Sequence, residues 1–217
     1  MVGRPASGTV RIRMASRGGD DESSGEAQMQ TQPDTMPSAV LRDEHRVILR
    51  VIDVLERLAK RARDGRFEGE ALARCVEFFR LFADACHHAK EEDLLFPVLE
   101  MRGIPRDGGP IGMMLYEHQL ARQFTQEMGA AVEARRQGEA DADTRFLDAA
   151  QKYIDLLRNH IYKENNVLFR MGDQAMSDED QSELRDKFCE AGCRAFGGKQ
   201  GDELRRMADE LEAAWPA

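Results

Sequence analysis

Four of the chain's five histidines recur at a constant offset of 73 residues, together with acidic neighbours. A histidine and a glutamate four positions apart lie one turn apart on the same face of a helix. Two such pairs and two further histidines offer four nitrogens and two carboxylates, which is a ligand set for a pair of metal ions. The repeated residues are Glu44-His45 and Glu117-His118, His87 and His160, Glu91 and Glu164, and Leu95-Phe96 and Leu168-Phe169.

Two of the repeated glutamates make the strongest case for metal binding. Glu91 and Glu164 each lie on a helix stripe that is otherwise apolar, and a buried carboxylate without a partner costs several kcal/mol. A single inward-facing histidine such as His45 is, taken alone, more often a core residue than a ligand. A shared pair of ions accounts for all the repeated groups at once. The predicted metal ligands are His45, His87, Glu91, His118, His160 and Glu164.

The offset also distinguishes two overlapping pairs in the second helix. His88 and Glu92 have the same spacing as His87 and Glu91, yet neither recurs 73 positions later. In an α-helix they would lie about 100° round the axis from the chosen pair. We therefore predict that His88 and Glu92 are neighbours of the ligands or surface groups, and not direct ligands.

Hydrophobic periodicity predicts helices and gives no strand signal. The predicted helices cover residues 38–64, 68–101, 110–136 and 141–171, followed by a fifth from 177 and a last stretch over 202–215. Pro97 should kink or end the second helix, and Ser177 and Asp180 form a capping-box pattern at the start of the fifth. We expect an all-α, antiparallel four-helix bundle over 38–172. A disordered tail (1–37) precedes it, and a C-terminal helical extension (177–215) follows.

Composition limits the classes of partner and compartment. The chain has 217 residues, enough for one domain with a normal core, and its net charge of -9 argues against nucleic acid as a partner. No apolar run reaches the roughly 18 residues that would suggest a membrane helix. Four cysteines without a disulfide-like spacing, and an N-terminus without an apolar signal segment, favour a cytoplasmic protein.

The sequence around the candidate ligands resembles one known family. The run CHHAKEEDLLFP over residues 86–97, Glu117-His118, and HIYKE over 160–164 with Leu168-Phe169 are similar to the signature of hemerythrin-like, HHE cation-binding proteins. The resemblance covers about residues 41–171. It implies an oxo- or hydroxo-bridged centre of two iron ions in a four-helix bundle. It also implies roles for the ligands: Glu91 and Glu164 would bridge, His45 and His87 would serve one iron, and His118 and His160 the other.

One position departs from the pattern of the oxygen-carrying hemerythrins. The carriers place a second histidine four residues after that of the third helix, where this chain has Arg122. Two histidines per iron would remain, against three and two in the carriers, which leaves positions open for water, peroxide, O2 or NO. The tyrosines that could supply a substitute ligand are Tyr116, Tyr153 and Tyr162.

An open centre favours redox chemistry or sensing over reversible O2 storage. We expect a di-iron protein that interacts with O2, peroxide or NO, with peroxide- or NO-directed redox activity if it is an enzyme. The alternative is a metal- or gas-responsive sensor without turnover, whose C-terminal helix, with Cys189 and Cys193, forms an output surface or a homo-oligomer contact. These cysteines fit surface or core positions better than a redox pair or half of a zinc site. A metal bound only for stability is the third interpretation.

Overall fold

The structure, a computed structural model, describes residues 36–192 and 194–216. Apolar residues at intervals of three and four form the buried face of the first helix, α1 (Pro37–Arg63). Proline fits the first turn, where a backbone N–H would have no partner within the helix. Thus α1 begins one residue earlier than predicted, and nearly all of the predicted disordered tail lies outside the described residues.

The second long helix is present where predicted, but it is not α-helical throughout. Its parts are α2 (Gly69–Phe78), the π-helical segments π1 (Phe79–His88) and π2 (Glu91–Leu95), and α3 (Phe96–Met101). In a π-helix each N–H bonds the carbonyl five residues earlier, so each residue adds less rotation than the roughly 100° of an α-helix. Pro97 lies in the first turn of α3, and the helix continues beyond it to Met101.

The second half of the chain forms two further long helices. The elements are α4 (Pro110–Arg136), α5 (Ala142–Lys163), π3 (Glu164–Leu168) and α6 (Phe169–Ala175). Gly103 and Gly138 follow the preceding helices with φ of 86° and 83°, a left-handed conformation that glycine adopts without strain. The bounds of α4 match the prediction, and the fourth long helix runs four residues past its predicted end.

Two C-terminal helices complete the chain, α7 (Asp178–Gly192) and α8 (Gly201–Ala214). The predicted capping box is confirmed, because Ser177 N–H donates to Asp180 Oδ2 at 2.8 Å and Asp180 N–H donates to Ser177 Oγ at 3.2 Å. The apolar face of α8 is buried against the chain's own core. The homo-oligomer contact predicted for the C-terminal helix with Cys189 concerns α7 and stays a prediction.

Two apolar cores occupy the described part of the chain. The larger core joins α1, α2, π1, α4, α5 and α8, and the smaller core joins α1, π2, α3, α4, π3, α6 and α7. Along α1, Leu41 belongs to the smaller core and Val47 to the larger, with Glu44 and His45 between them. The helices therefore carry a polar layer between two apolar ones.

The predicted all-helical class is confirmed for residues 36–192 and 194–216. These residues contain no strand, and a single isolated bridge pairs Phe196 with Lys199. None of the helices in these ranges is long and apolar enough to cross a membrane.

Candidate metal centre

Seven buried side chains of the described residues converge in the polar layer between the cores. They form two groups, and the ligand-type atoms of each group lie within 4.8 Å of one another. Glu91 belongs to both, so the groups are adjacent and share a carboxylate. The first group is His45, His87, Glu91 and Glu164, and the second group is His88, Glu91, His118 and His160. The six predicted ligands are thus brought together, with His88 added.

Each of the two glutamates faces one histidine of each group. The distances are 3.1 Å from His45 Nε2 to Glu164 Oε2, 3.5 Å from His87 Nε2 to Glu91 Oε1, 3.4 Å from His118 Nε2 to Glu91 Oε2, and 3.3 Å from His160 Nε2 to Glu164 Oε1. Two atoms that bind one ion at about 2.1 Å and at right angles to each other lie about 3 Å apart. The spacing therefore suits atoms arranged around metal ions.

Glutamates hold two of the imidazoles at their Nδ1 atoms. Glu44 Oε2 lies 3.0 Å from His87 Nδ1, and Glu44 also accepts a hydrogen bond from Lys90. The same arrangement recurs 73 residues later: its members are Glu117, whose Oε2 lies 2.9 Å from His160 Nδ1, and Lys163. Neither lysine was among the predicted residues of the site, although the 73-residue offset also relates Lys90 to Lys163.

Glu92 and Asn165, also 73 residues apart, hold the other two repeated imidazoles. Glu92 Oε1 lies 2.7 Å from His118 Nδ1, and Asn165 Oδ1 lies 3.0 Å from His45 Nδ1. An acceptor beside Nδ1 keeps the proton there and leaves the Nε2 lone pair free to bind a metal. The two residues differ in type, which is why the repeat did not reveal that they play equivalent roles.

All four repeated imidazoles therefore present Nε2 lone pairs to the oxygens of Glu91 and Glu164. Among the described residues these oxygens have no hydrogen-bond donor, and neither do the Nε2 atoms of the first group's histidines. The Nε2 atoms of His118 and His160 lie only 3.1 Å apart. Buried acceptors that face one another repel unless a cation or a proton lies between them. The donor set and its geometry thus fit bound cations.

Burial sets the protonation of the metal-free centre. It lowers the pKa of His87 and of His118 well below the usual value, so both imidazoles are neutral, as metal binding requires. Burial, and then the charge of Glu164, raise the pKa of Glu91 well above its usual value. Burial also raises the pKa of Glu164, but neighbouring imidazoles, His160 first, outweigh burial and leave this pKa below its usual value. The raised pKa of Glu91 thus favours a proton where a cation would bind.

Comparison with known families identifies the domain that carries these groups. The family model for the hemerythrin HHE cation binding domain matches residues 36–172. The chain belongs to this family. The matched range contains every side chain of the two groups, and the resemblance expected from residues 86–97 is confirmed.

Two mycobacterial proteins are similar in sequence to this chain. They are the uncharacterized protein Rv1995 of Mycobacterium tuberculosis and the uncharacterized protein Mb2018 of Mycobacterium bovis, each 26% identical over 169 residues. The aligned part covers 77% of this chain and 65% of each relative. The chain thus spans less than two thirds of their length.

His88 of the hemerythrin-like domain lies inside the second group, whereas the offset placed it outside the ligand set. Its side chain is 2% exposed, and its ring stacks on that of His118 with centroids 3.9 Å apart. The π-helical turn of π1 accounts for the difference, because a smaller rotation per residue lets His87 and His88 both face the interior. Apolar periodicity predicted an α-helix here and gave no signal of the wider turn.

The structure places the three tyrosines that were considered as substitute ligands away from both groups of candidate metal ligands. Tyr116 and Tyr162 are largely exposed, Tyr153 is buried in the larger core, and none joins either group of described residues. Arg122 itself donates to Glu92 Oε1 at 2.8 Å. Position 122 thus carries a guanidinium group that fixes Glu92, the residue that contacts His118 Nδ1.

Proposed function

We propose that this hemerythrin-like chain binds two iron ions and uses them in redox chemistry with O2, peroxide or NO. The observation that carries the proposal is the sharing of Glu91 by two groups of buried imidazoles that face carboxylate oxygens lacking donors. A single ion would complete only one group. Two ions bridged by carboxylates would complete both.

The donor types support iron. The ligands would be His45 and His87 for one ion, His118 and His160 for the other, and Glu91 and Glu164 for both. Imidazole and carboxylate suit iron, whereas structural zinc sites usually include thiolates, and Cys86 belongs to neither group of described residues. Bound iron would supply the redox chemistry, while the protein fixes the ligands and keeps bulk water out with apolar layers on both sides.

We also infer the arrangement that positions these ligands. Each of the four long helices contributes side chains to at least one of the two groups and one acceptor to an imidazole Nδ1 atom. Long helices that are joined by short loops and share a buried site are typical of an antiparallel four-helix bundle. The bundle would end near residue 172, with 177–215 as an extension packed on both cores.

A cavity lies next to the Asp84–Arg122 ion pair, which separates it from His88 and Glu92. It has a volume of about 300 Å³ and lies between π1 and α4. Its wall includes Asp84, whose carboxylate lies 3.5 Å from His88 Nδ1, and Arg122, which contacts Glu92. We infer that a small molecule bound in this cavity would approach the centre on the side of His88, past the Asp84–Arg122 ion pair.

Metal analysis combined with optical spectroscopy tests the proposal. Protein purified from iron-replete cells should contain about two irons per chain, with a charge-transfer band when oxidised and a changed spectrum after NO is added to the reduced form. Glu91→Ala should lose most of the iron, and Glu127→Ala, on the surface of α4, is the matched control. Folded protein that carries no iron from such cells would rule the proposal out.

A sensor without turnover is the second candidate, favoured by one contact. Helix α7 packs against π2, the segment that carries Glu91, so a change at the centre can reach the C-terminal extension. Hydrogen exchange of α7 should then differ between oxidised and reduced iron-loaded protein, with no consumption of peroxide or NO. Turnover of either molecule with unchanged exchange in α7 would favour the redox role instead.

A further inference from the structure

His88 belongs to a polar cluster that exists on one side of the centre only. The cluster is His88, Asp84 and Arg122, and the 73-residue offset places Ile161, Leu157 and Leu49 at the equivalent positions. In the cluster, Arg122 Nε donates to Asp84 Oδ1 at 2.6 Å, and that oxygen lies 3.5 Å from His88 Nδ1. The six proposed ligands, both glutamates that contact Nδ1 of His87 and His160, and both lysines follow the repeat, so this departure needs its own explanation.

The backbone departs from the repeat at the same place. Residues 79–88 form π1, whereas the equivalent residues 152–161 lie within the α-helix α5. The wider turn brings His88 inward, where it is 2% exposed, beside the rings of His118 and His160. π-Helical segments are rare in proteins and are frequently found at functional sites.

We propose that His88 is a ligand of the ion held by His118 and His160, in place of the imidazole absent at position 122. The inference rests on the proposed function, because it presumes bound iron. It makes the two ions unequal, with three histidines on one and two on the other. Asp84 would orient the His88 ring through its Nδ1 side, and Arg122 would hold Asp84 in place.

Replacing His88 by isoleucine, the residue found 73 positions later at 161, tests whether His88 is a ligand. His88→Ile should bind one of its two irons at least about tenfold more weakly in a chelator competition. The Mössbauer signals of the two irons should differ in the wild type, and the signal of the weakened iron should change in the variant. Ile161→Val, a packing change at the equivalent buried position, should alter neither property.

The outcomes separate this inference from the proposed function. A wild-type chain without iron would contradict the function itself. Two irons in the wild type, with His88→Ile unchanged in iron affinity and Mössbauer spectrum, would overturn only the role of His88. If His88→Ile does not fold, His88→Ala with added imidazole replaces it: recovery of the second iron's affinity supports ligation, and wild-type binding without imidazole overturns it.

Discussion

Four imidazole rings are each fixed by one acceptor at Nδ1, so each ring presents its Nε2 atom to the interior of the centre. The sequence predicted all four histidines, since identical residue types recur at one offset. It predicted Glu92 as a neighbour of the ligands or a surface group, but it did not predict Asn165 as the equivalent acceptor, because a glutamate and an asparagine differ in type while performing the same task. Nor did it predict His88, whose orientation depends on a backbone turn that side-chain patterns do not encode.

Replacing Glu44 by glutamine should weaken iron binding at the first group. The variant keeps the shape but removes the charge that pairs with Lys90 and polarises His87, and such partners typically contribute 10- to 100-fold to metal affinity. Chelator competition would measure about a tenfold loss for one iron of the pair. Glu117→Gln should have the matching effect at the second group, and exposed Glu127→Gln should have none. Equal affinity in all three variants would contradict the role given to the acceptors.

At the scale of elements, helix existence and most bounds were predictable, whereas helix type was not. The start of α4 at Pro110 and the capping box of α7 follow from local rules about proline and side-chain caps. The segments π1, π2 and π3 carry the same apolar spacing as an α-helix, so periodicity could not distinguish them. They coincide with the metal-binding level, where the wider turns determine which residues face inward.

Removing the α7 cap should destabilise the C-terminal extension. Ser177→Ala deletes the hydroxyl that accepts from Asp180 N–H, a loss of about 1 kcal/mol in the free energy of unfolding. Chemical denaturation would measure it, and hydrogen exchange should place the effect in α7. Ser182→Ala, at an exposed position inside the same helix, should be neutral or slightly stabilising. An equal effect of both variants would contradict the capping role.

At the scale of the whole molecule, the centre is a buried polar layer between two apolar cores. The sequence predicted one shared site and not two separate ones, because a bundle brings equivalent levels of its helices together. It did not predict that α7 would join the smaller core and α8 the larger, since an amphipathic helix does not specify its partner. The two apolar cores bury a set of groups that would be unstable together without a cation.

The metal-free protein should lose stability as the pH falls below about 6.5. Burial lowers the pKa of His87, His88 and His118 from 6.5, so below that pH the unfolded chain binds protons that the folded chain does not. Glu91 has the opposite effect on the pH dependence, because its raised pKa lets the folded chain bind a proton. This is a single group, whereas three histidines act in the other direction. The free energy of unfolding therefore decreases with falling pH.

Thermal unfolding of chelator-treated protein between about pH 7.5 and 5.5 measures this dependence. The melting temperature should fall across the range, and less steeply in His88→Ile, which lacks one of the three imidazoles. A melting temperature that rises toward acid pH would contradict the buried neutral state of these histidines.

Anomalous diffraction at the iron edge, from crystals of protein purified out of iron-replete cells, tests the paired centre most directly. We expect two iron peaks about 3.5–4 Å apart, both within bonding distance of Glu91 and Glu164. One peak next to His45 and His87 should be matched by the other next to His118 and His160. A single peak, or no iron signal at the polar layer of a folded chain, would contradict it.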